Sequence, residues 1–210
     1  MWKRWGFLNR LRPSEDRLKG RGSIWQYAYW APTIFVLGDY FYSIKVVSGR
    51  SMQPTLNPDS SRSRDVALFD RFAIHTRRIY QRGDIVALRS PENPERVLVK
   101  RIVALGGDRV KTLPPYKDAE VTVPLGHAWI EGDEPFHSDD SNRFGPVSLS
   151  LIDSRMVCVV WPLNRFGQPR DPAETLRSLP AGDYHGYRHA MADIERARRR
   201  KLRITTGGAS

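Results

Sequence analysis

The 210-residue chain has one cysteine, Cys158, so it can form no internal disulfide and no cysteine-rich zinc site. Its five histidines include no HExxH pair, and no metal or cofactor is expected. Zinc-finger, RRM and helix-turn-helix patterns are missing, so nucleic acid is not expected as a partner. There is no GxSxG nucleophile elbow and no internal repeat. A mean hydropathy of −0.51 excludes a polytopic membrane protein while leaving room for a single span. Negative charge is also scarce: 23 Asp and Glu stand against 34 Lys and Arg, for a net charge of +11.

With 40% hydrophobic and 27% charged residues, the chain can bury a core, and its length allows one domain with extensions. The positive surplus gathers at the two ends. Lys3, Arg4, Arg10, Arg12, Arg17, Lys19 and Arg21 face only Glu15 and Asp16 in residues 1–23. Arg196, Arg198, Arg199, Arg200, Lys201 and Arg203 lie near the other end. Such runs serve as solvated helix ends, lipid-surface patches or nucleic-acid patches, and solvation is the commonest of the three.

Residues 24–44 read IWQYAYWAPTIFVLGDYFYSI. As a helix they would extend about 30 Å, one bilayer core. Trp25, Tyr27, Tyr29 and Trp30 cluster at one end and Tyr40 and Tyr42 at the other, as suits two membrane interfaces. Asp39 and Pro32 argue against a span, and the competing reading is an aromatic core helix. If the segment spans, basic residues 1–23 stay on the positive-rich side and the bulk of the chain lies on the other. The Arg-rich leading segment resembles an organelle transit signal, and no small-residue cleavage pattern marks a secretory one.

Beyond the span, β-rich runs alternate with Gly and Pro turns. The expected strands are Asp65–Phe72, Asp84–Arg89, Val97–Leu105, Val121–Val123, His127–Glu131 and Met156–Trp161. No helix-period pattern competes within 65–161. The expectation is a mainly β fold, a compact antiparallel sheet. It divides into a basic segment (1–23), a transmembrane helix (24–44), a catalytic domain (45–163) and an extension (164–210) with a basic helix near 190–203.

Ser51, in SGRSMQPTL directly after the aromatic stretch, is the serine that stands out. A serine hydroxyl attacks only when a base takes its proton. Two bases are conceivable. His137 lies beside Ser138, Asp139 and Asp140. Lys100 lies in VLVKRIV, where strand alternation puts Leu98, Lys100 and Ile102 on one face and Arg101 on the other. An ammonium on an apolar face is costly to keep charged, so its pKa falls toward the range where a neutral amine can act as a base.

Four blocks occur in order: SGRSMQPTL, RGDIV (82–86), KRIVALGGD (100–108) and GD…HSDDSNRFGPV (132–147). Together they resemble the type I signal peptidase family over roughly residues 24–162. The resemblance implies a signal-peptidase-like sheet and a Ser-Lys protease that removes leaders at a membrane surface. Ser51 would be the nucleophile and Lys100 the general base. Ser138 would orient the amine, Arg101 and Asp133 would pair behind the site, and Asp140 would hold the HSDDS loop. Val47, Met52, Leu56, Ala87 and Val99 would line a pocket for small residues before the cut.

Asn142, where bacterial members carry arginine, and Gly49, where many carry an oxyanion-donating serine, resemble the family's mitochondrial branch. Gly49 is expected to permit close approach of the chain. That branch implies leader-bearing precursors as substrates, a sister catalytic subunit in a heteromeric complex, and the mitochondrial inner membrane with the catalytic domain facing the intermembrane space. Three rivals are weighed: a bacterial-type signal peptidase, a basic nucleic-acid or lipid-binding module with an inert Ser51, and a self-cleaving Ser-Lys regulator.

Overall fold

The computed structural model describes residues 29–35, 38, 40–58, 64–169, 172–180 and 182–207, the side chains of His137, Pro172 and His185 excepted. The chain divides into two compact units, Met1–Tyr40 and Phe41–Ser210. In the first, residues 29–35, 38 and 40 are helical, and the rings of Tyr29 and Trp30 meet edge to face at 5.8 Å. Among the described residues no helix is long and apolar enough to cross a membrane. Residues 1–23, and 24–28, 36, 37 and 39 of the expected span, lie outside the described residues.

The second unit corrects the far end of that span. Tyr42–Val46 is a strand, β1, and not helix. It pairs antiparallel with β2 (Val66–Asp70) from Tyr42↔Asp70 to Val46↔Val66, which satisfies its backbone groups across the ladder. β2 is followed by a single helical turn, α1 (Phe72–His75), set by the Asp70 carboxylate accepting from the Ala73 N–H at 2.9 Å. A second one-turn helix, α2, spans Ser141–Phe144. Both escape a periodicity search because one turn carries no repeat.

The remaining strands are β3 (Ile85–Arg89), β4 (Val97–Leu105), β5 (Arg109–Lys111), β6 (Glu120–Thr122), β7 (His127–Glu131), β8 (Val147–Ser148), β9 (Ile152–Trp161) and β10 (Ile204–Thr205). Among the described residues a seven-stranded antiparallel sheet runs β1-β2-β9-β3-β4-β7-β8, and a three-stranded one runs β10-β5-β6. The mainly β, antiparallel expectation therefore holds. β4 lies between β3 and β7, and its run of Val, Leu and Ile suits a strand covered on both faces. One apolar cluster gathers Val86, Leu88, Leu98, Ile102, Ile130 and Ile152, and another gathers Ala67, Phe69, Ile85, Met156 and Val159 around the Ser51 loop.

After the sheet come α3 (Pro172–Ser178) and α4 (Tyr184–Leu202). The basic helix thus starts at Tyr184, earlier than 190. Asp183 caps it, accepting from the Gly186 N–H at 2.9 Å. From α4 the chain enters β10, which pairs with β5 through Ile204↔Val110.

Candidate active site

Lys100 sits mid-strand on β4 and is only 2% exposed. Its face is shared with Leu98 and Ile102, both buried in an apolar cluster. Its Nζ donates to Ser138 Oγ at 2.9 Å. Burial pushes the amine down from 10.5 to about 8; the charges of Asp140, Asp139 and Asp133 act upward and that of Arg96 adds to the lowering. The amine is therefore about half neutral at pH 8 and about one-tenth neutral at pH 7.

Ser51 opens a turn between β1 and β2, half-buried, with Met52 and Leu56 beneath it in the core. The loop is pinned from behind. Asn57 Nδ2 donates to the carbonyls of Val47 (2.9 Å) and Gly49 (3.2 Å), and its backbone N–H donates to Asp65 at 2.7 Å. Asp65, buried, also accepts from Arg165 at 2.6 and 2.7 Å, and Arg165 donates onward to the Thr55 carbonyl at 2.8 Å. Replacing Asp65 with alanine strands a guanidinium and an amide in a half-dry site. The expected loss is about 3 kcal/mol in denaturant unfolding, with slower proteolysis as the loop loosens.

The nucleophile loop and the lysine side meet at Gly132. A Cβ there would collide with Ser138 Oγ and lie 2.5 Å from the Ser51 carbonyl oxygen. That carbonyl accepts from the Glu134 N–H at 3.0 Å. The Gly132 N–H donates to Asp140 at 3.1 Å, and Asp140 also caps α2 through the Asn142 N–H at 3.0 Å. Arg101, on the opposite face of β4, holds Asp133 with two bonds of 2.9 and 2.7 Å. Thr55 donates to the same carboxylate at 2.6 Å. Burial acts to raise the Asp133 carboxyl, but the Arg101 bonds and charge, with Arg200 and Thr55, hold it below the usual carboxylate range.

Ser51, Lys100, Ser138, Arg101, Asp133 and Asp140 therefore converge around one glycine. Among the described residues the Lys100 amine bonds Ser138 and not Ser51. Catalytic bonds are commonly long before substrate is bound. Val47, Met52, Leu56 and Ala87 share one buried cluster, with Val99 packed against it. The side chain of His137 lies outside the described residues. Gly49 needs correction: a Cβ there would meet nothing within 4 Å, so space is not what requires glycine. The requirement is its φ of 93°, in the left-handed region.

Gly132 as the meeting point, Thr55, Glu131, Arg200 and Arg203 belong to the site but are not among its sequence-predicted residues. Glu131 is buried between Trp129 Nε1 (3.0 Å), Asn142 Nδ2 (3.2 Å) and a two-pronged Arg203 (3.0 and 2.5 Å). Arg200 donates to Asp133 at 2.9 Å. A buried acid alternating with a second one two residues on was the available signal for Glu131. Nothing local points to arginines some seventy positions away.

Residues 23–113 match the family model described as signal peptidase, peptidase S26. A Schizosaccharomyces pombe relative, mitochondrial inner membrane protease subunit 2, is 44% identical over 66% of this chain and 76% of its own. The Danio rerio protein of the same name is 48% identical over 64% of this chain and 72% of its own. The S. pombe subunit 1 is 33% identical over 63% of this chain and 82% of its own. With four ordered sequence blocks converging on a single site, and a relative of this identity matched over three quarters of its length, the chain belongs to the peptidase S26 family of signal peptidases.

Proposed function

We propose that this chain is a serine endopeptidase of the mitochondrial inner membrane that removes leader segments from precursors, with Ser51 as nucleophile and Lys100 as its base. The observation that carries this reading is the buried Lys100 amine, bonded to Ser138 and lowered to about 8, on the strand beside the Ser51 loop. A neutral amine has two N–H donors and one lone pair. Giving one N–H to Ser138 fixes where the lone pair points.

The lone pair takes the Ser51 proton as Oγ attacks the scissile carbonyl carbon. The carbonyl electrons move to oxygen, and the Ser51 backbone N–H faces the developing oxyanion. Collapse breaks the C–N bond, and the ammonium returns its proton to the leaving amine. Water, deprotonated by the same amine, then hydrolyses the acyl-serine ester.

The cluster of Val47, Met52, Leu56, Ala87 and Val99 supports a pocket for small side chains before the cut. Discrimination against a single methylene is worth only about 1–3 kcal/mol, so colocalisation on a membrane supplies much of the selectivity. The aromatic stretch 24–41 serves as the anchor, with the catalytic unit in the intermembrane space. Relatives named as subunit 2 and subunit 1 support a sister catalytic chain as partner.

The pH dependence of leader cleavage tests the base. The rate should climb as the amine loses its proton, with a midpoint near 8. A midpoint in the ordinary histidine range of about 6.5 would transfer the role to His137.

A further inference from the structure

We propose that Arg200 and Arg203 of the C-terminal extension are positioning residues of the active site, clamping the Glu131–Gly132–Asp133 segment on which Ser51 and Ser138 close. The proposal rests on the Ser51–Lys100 reading and extends it to a part of the chain beyond the family match.

Glu131 ends β7 and Asp133 lies two residues beyond it, with Gly132 between them turned to the reacting side. Both carboxylates are buried. Asp133 has a cation from within the sheet, Arg101, at 2.7 Å. Glu131 does not. Trp129 and Asn142 give it neutral donors only, both onto Oε1. Among the described residues, the cations in reach of Glu131 come from the tail: Arg203 at 2.5 Å and Arg200 at 4.0 Å. Arg200 reaches Asp133 as well, at 2.9 Å, so one helix end grips both sides of the glycine.

The grip is itself fixed. Arg203 accepts through its carbonyl from the Lys111 N–H at 2.9 Å and donates through Nη1 to the Lys111 carbonyl at 3.1 Å. β10 follows at once and pairs with β5. The neighbouring Arg198 and Arg199 behave differently: they are exposed, and Arg199 pairs with Glu195 on its own helix. The basic run therefore contains two kinds of arginine, and among the described residues it is the inward pair that touches the site scaffold.

Without Arg203, the buried Glu131 carboxylate has no bidentate partner, and β7 must shift or admit water to solvate it. Gly132 moves with it, and Ser51 and Ser138 lose their common abutment. The same loss acts on the amine. Lys100 faces Asp139, Asp140, Asp133 and Arg96. Removing Arg200 leaves Asp133 less neutralised and favours the ammonium.

The test uses the full-length chain in its membrane, assayed on a leader-bearing precursor well below the melting temperature. Arg203→Ala should lower kcat about 10- to 100-fold with KM little changed. Arg200→Ala should move the pH midpoint upward, and Arg198→Ala should change neither. In the Arg203→Ala background, Glu131→Gln should restore most of the rate, because the amide needs no cation and its Oε1 still accepts from Trp129 and Asn142. A stabilising role alone would lower the melting temperature and leave kcat and its pH midpoint in place, which overturns the proposal. If Arg203→Ala does not fold, E131Q and E131Q/R203A are compared: equal kcat supports the clamp, and a tenfold lower double variant refutes it. Ser51→Ala separates the two readings. If it still cleaves, the catalytic assignment fails. If it is inactive while Arg203→Ala works normally, only the clamp fails.

Discussion

Lys100→Met should abolish leader cleavage and make the protein harder to melt at pH 7. The first effect follows from chemistry: methionine fills the same apolar slot but has no lone pair basic enough to take the Ser51 proton. A positioned general base is worth up to about 10,000-fold, and Ser51→Ala should give a comparable loss. The double variant should be no worse than either single one, because nucleophile and base act as one unit. The second effect follows from burial. With a folded value of about 8 against 10.5, the amine is harder to protonate in the folded protein. The penalty, about 3 kcal/mol, is present in full below pH 8 and fades as pH rises from 8 to 10.5, where the unfolded chain also loses the proton. Losing the Ser138 bond offsets about 1 kcal/mol. The net gain should raise the melting temperature by a few degrees, about 2–4 °C per kcal/mol for a chain of this size, with the gain shrinking in alkaline buffer. Processing at the normal rate by Lys100→Met would remove the lysine from the mechanism.

The parts of this molecule that could be read from its sequence are those whose information is local. β4 and β7 match the expected Val97–Leu105 and His127–Glu131, because β-branched runs bounded by turns report directly on a buried strand. The burial of Lys100 follows from the same alternation, and the observed face agrees. The strands that escaped, β5, β8 and β10, have two or three residues each and are defined by their partners. β1 was hidden for another reason: Tyr42 and Ile44 are aromatic and apolar enough to extend a membrane-like run, and pairing with β2 makes the segment a strand. The site divides in the same way. Ser51, Lys100 and the GD and HSDDS blocks stand out in sequence. The abutment at Gly132 and the reach of Arg200 and Arg203 are products of tertiary folding, and a charge run near a chain end gives no sign of which arginines turn inward.

Gly132→Ala should lower the cleavage rate some 100-fold, though it adds only one methyl group. The added carbon would sit 2.5 Å from the Ser51 carbonyl oxygen and 2.7 Å from Ser138 Cβ, as well as striking Ser138 Oγ. Rotating Ser138 relieves the contact with its hydroxyl but not the one with its Cβ, and the Ser51 oxygen is backbone. Something rigid must move. The loop is tied by Asn57 and Asp65 and by the Glu134-to-Ser51 bond of 3.0 Å, and β7 is tied by Asp140 and the Arg101–Asp133 pair. Overpacking of this kind costs about 1–3 kcal/mol of stability. It also drives the nucleophile loop away from Ser138 and the amine it holds, and a displacement of about 1 Å is enough to lower the rate some 100-fold. The expected signature is a much reduced kcat in protein that is still folded at assay temperature. Ser138→Gly added to Gly132→Ala should recover part of the stability, since two of the three collisions vanish and the one with the Ser51 oxygen stays, but not activity, since Lys100 loses the hydroxyl that orients it. Wild-type turnover by Gly132→Ala would mean that Ser51 and Ser138 do not close on this glycine in the working enzyme, and the shared abutment would lose its place in the mechanism.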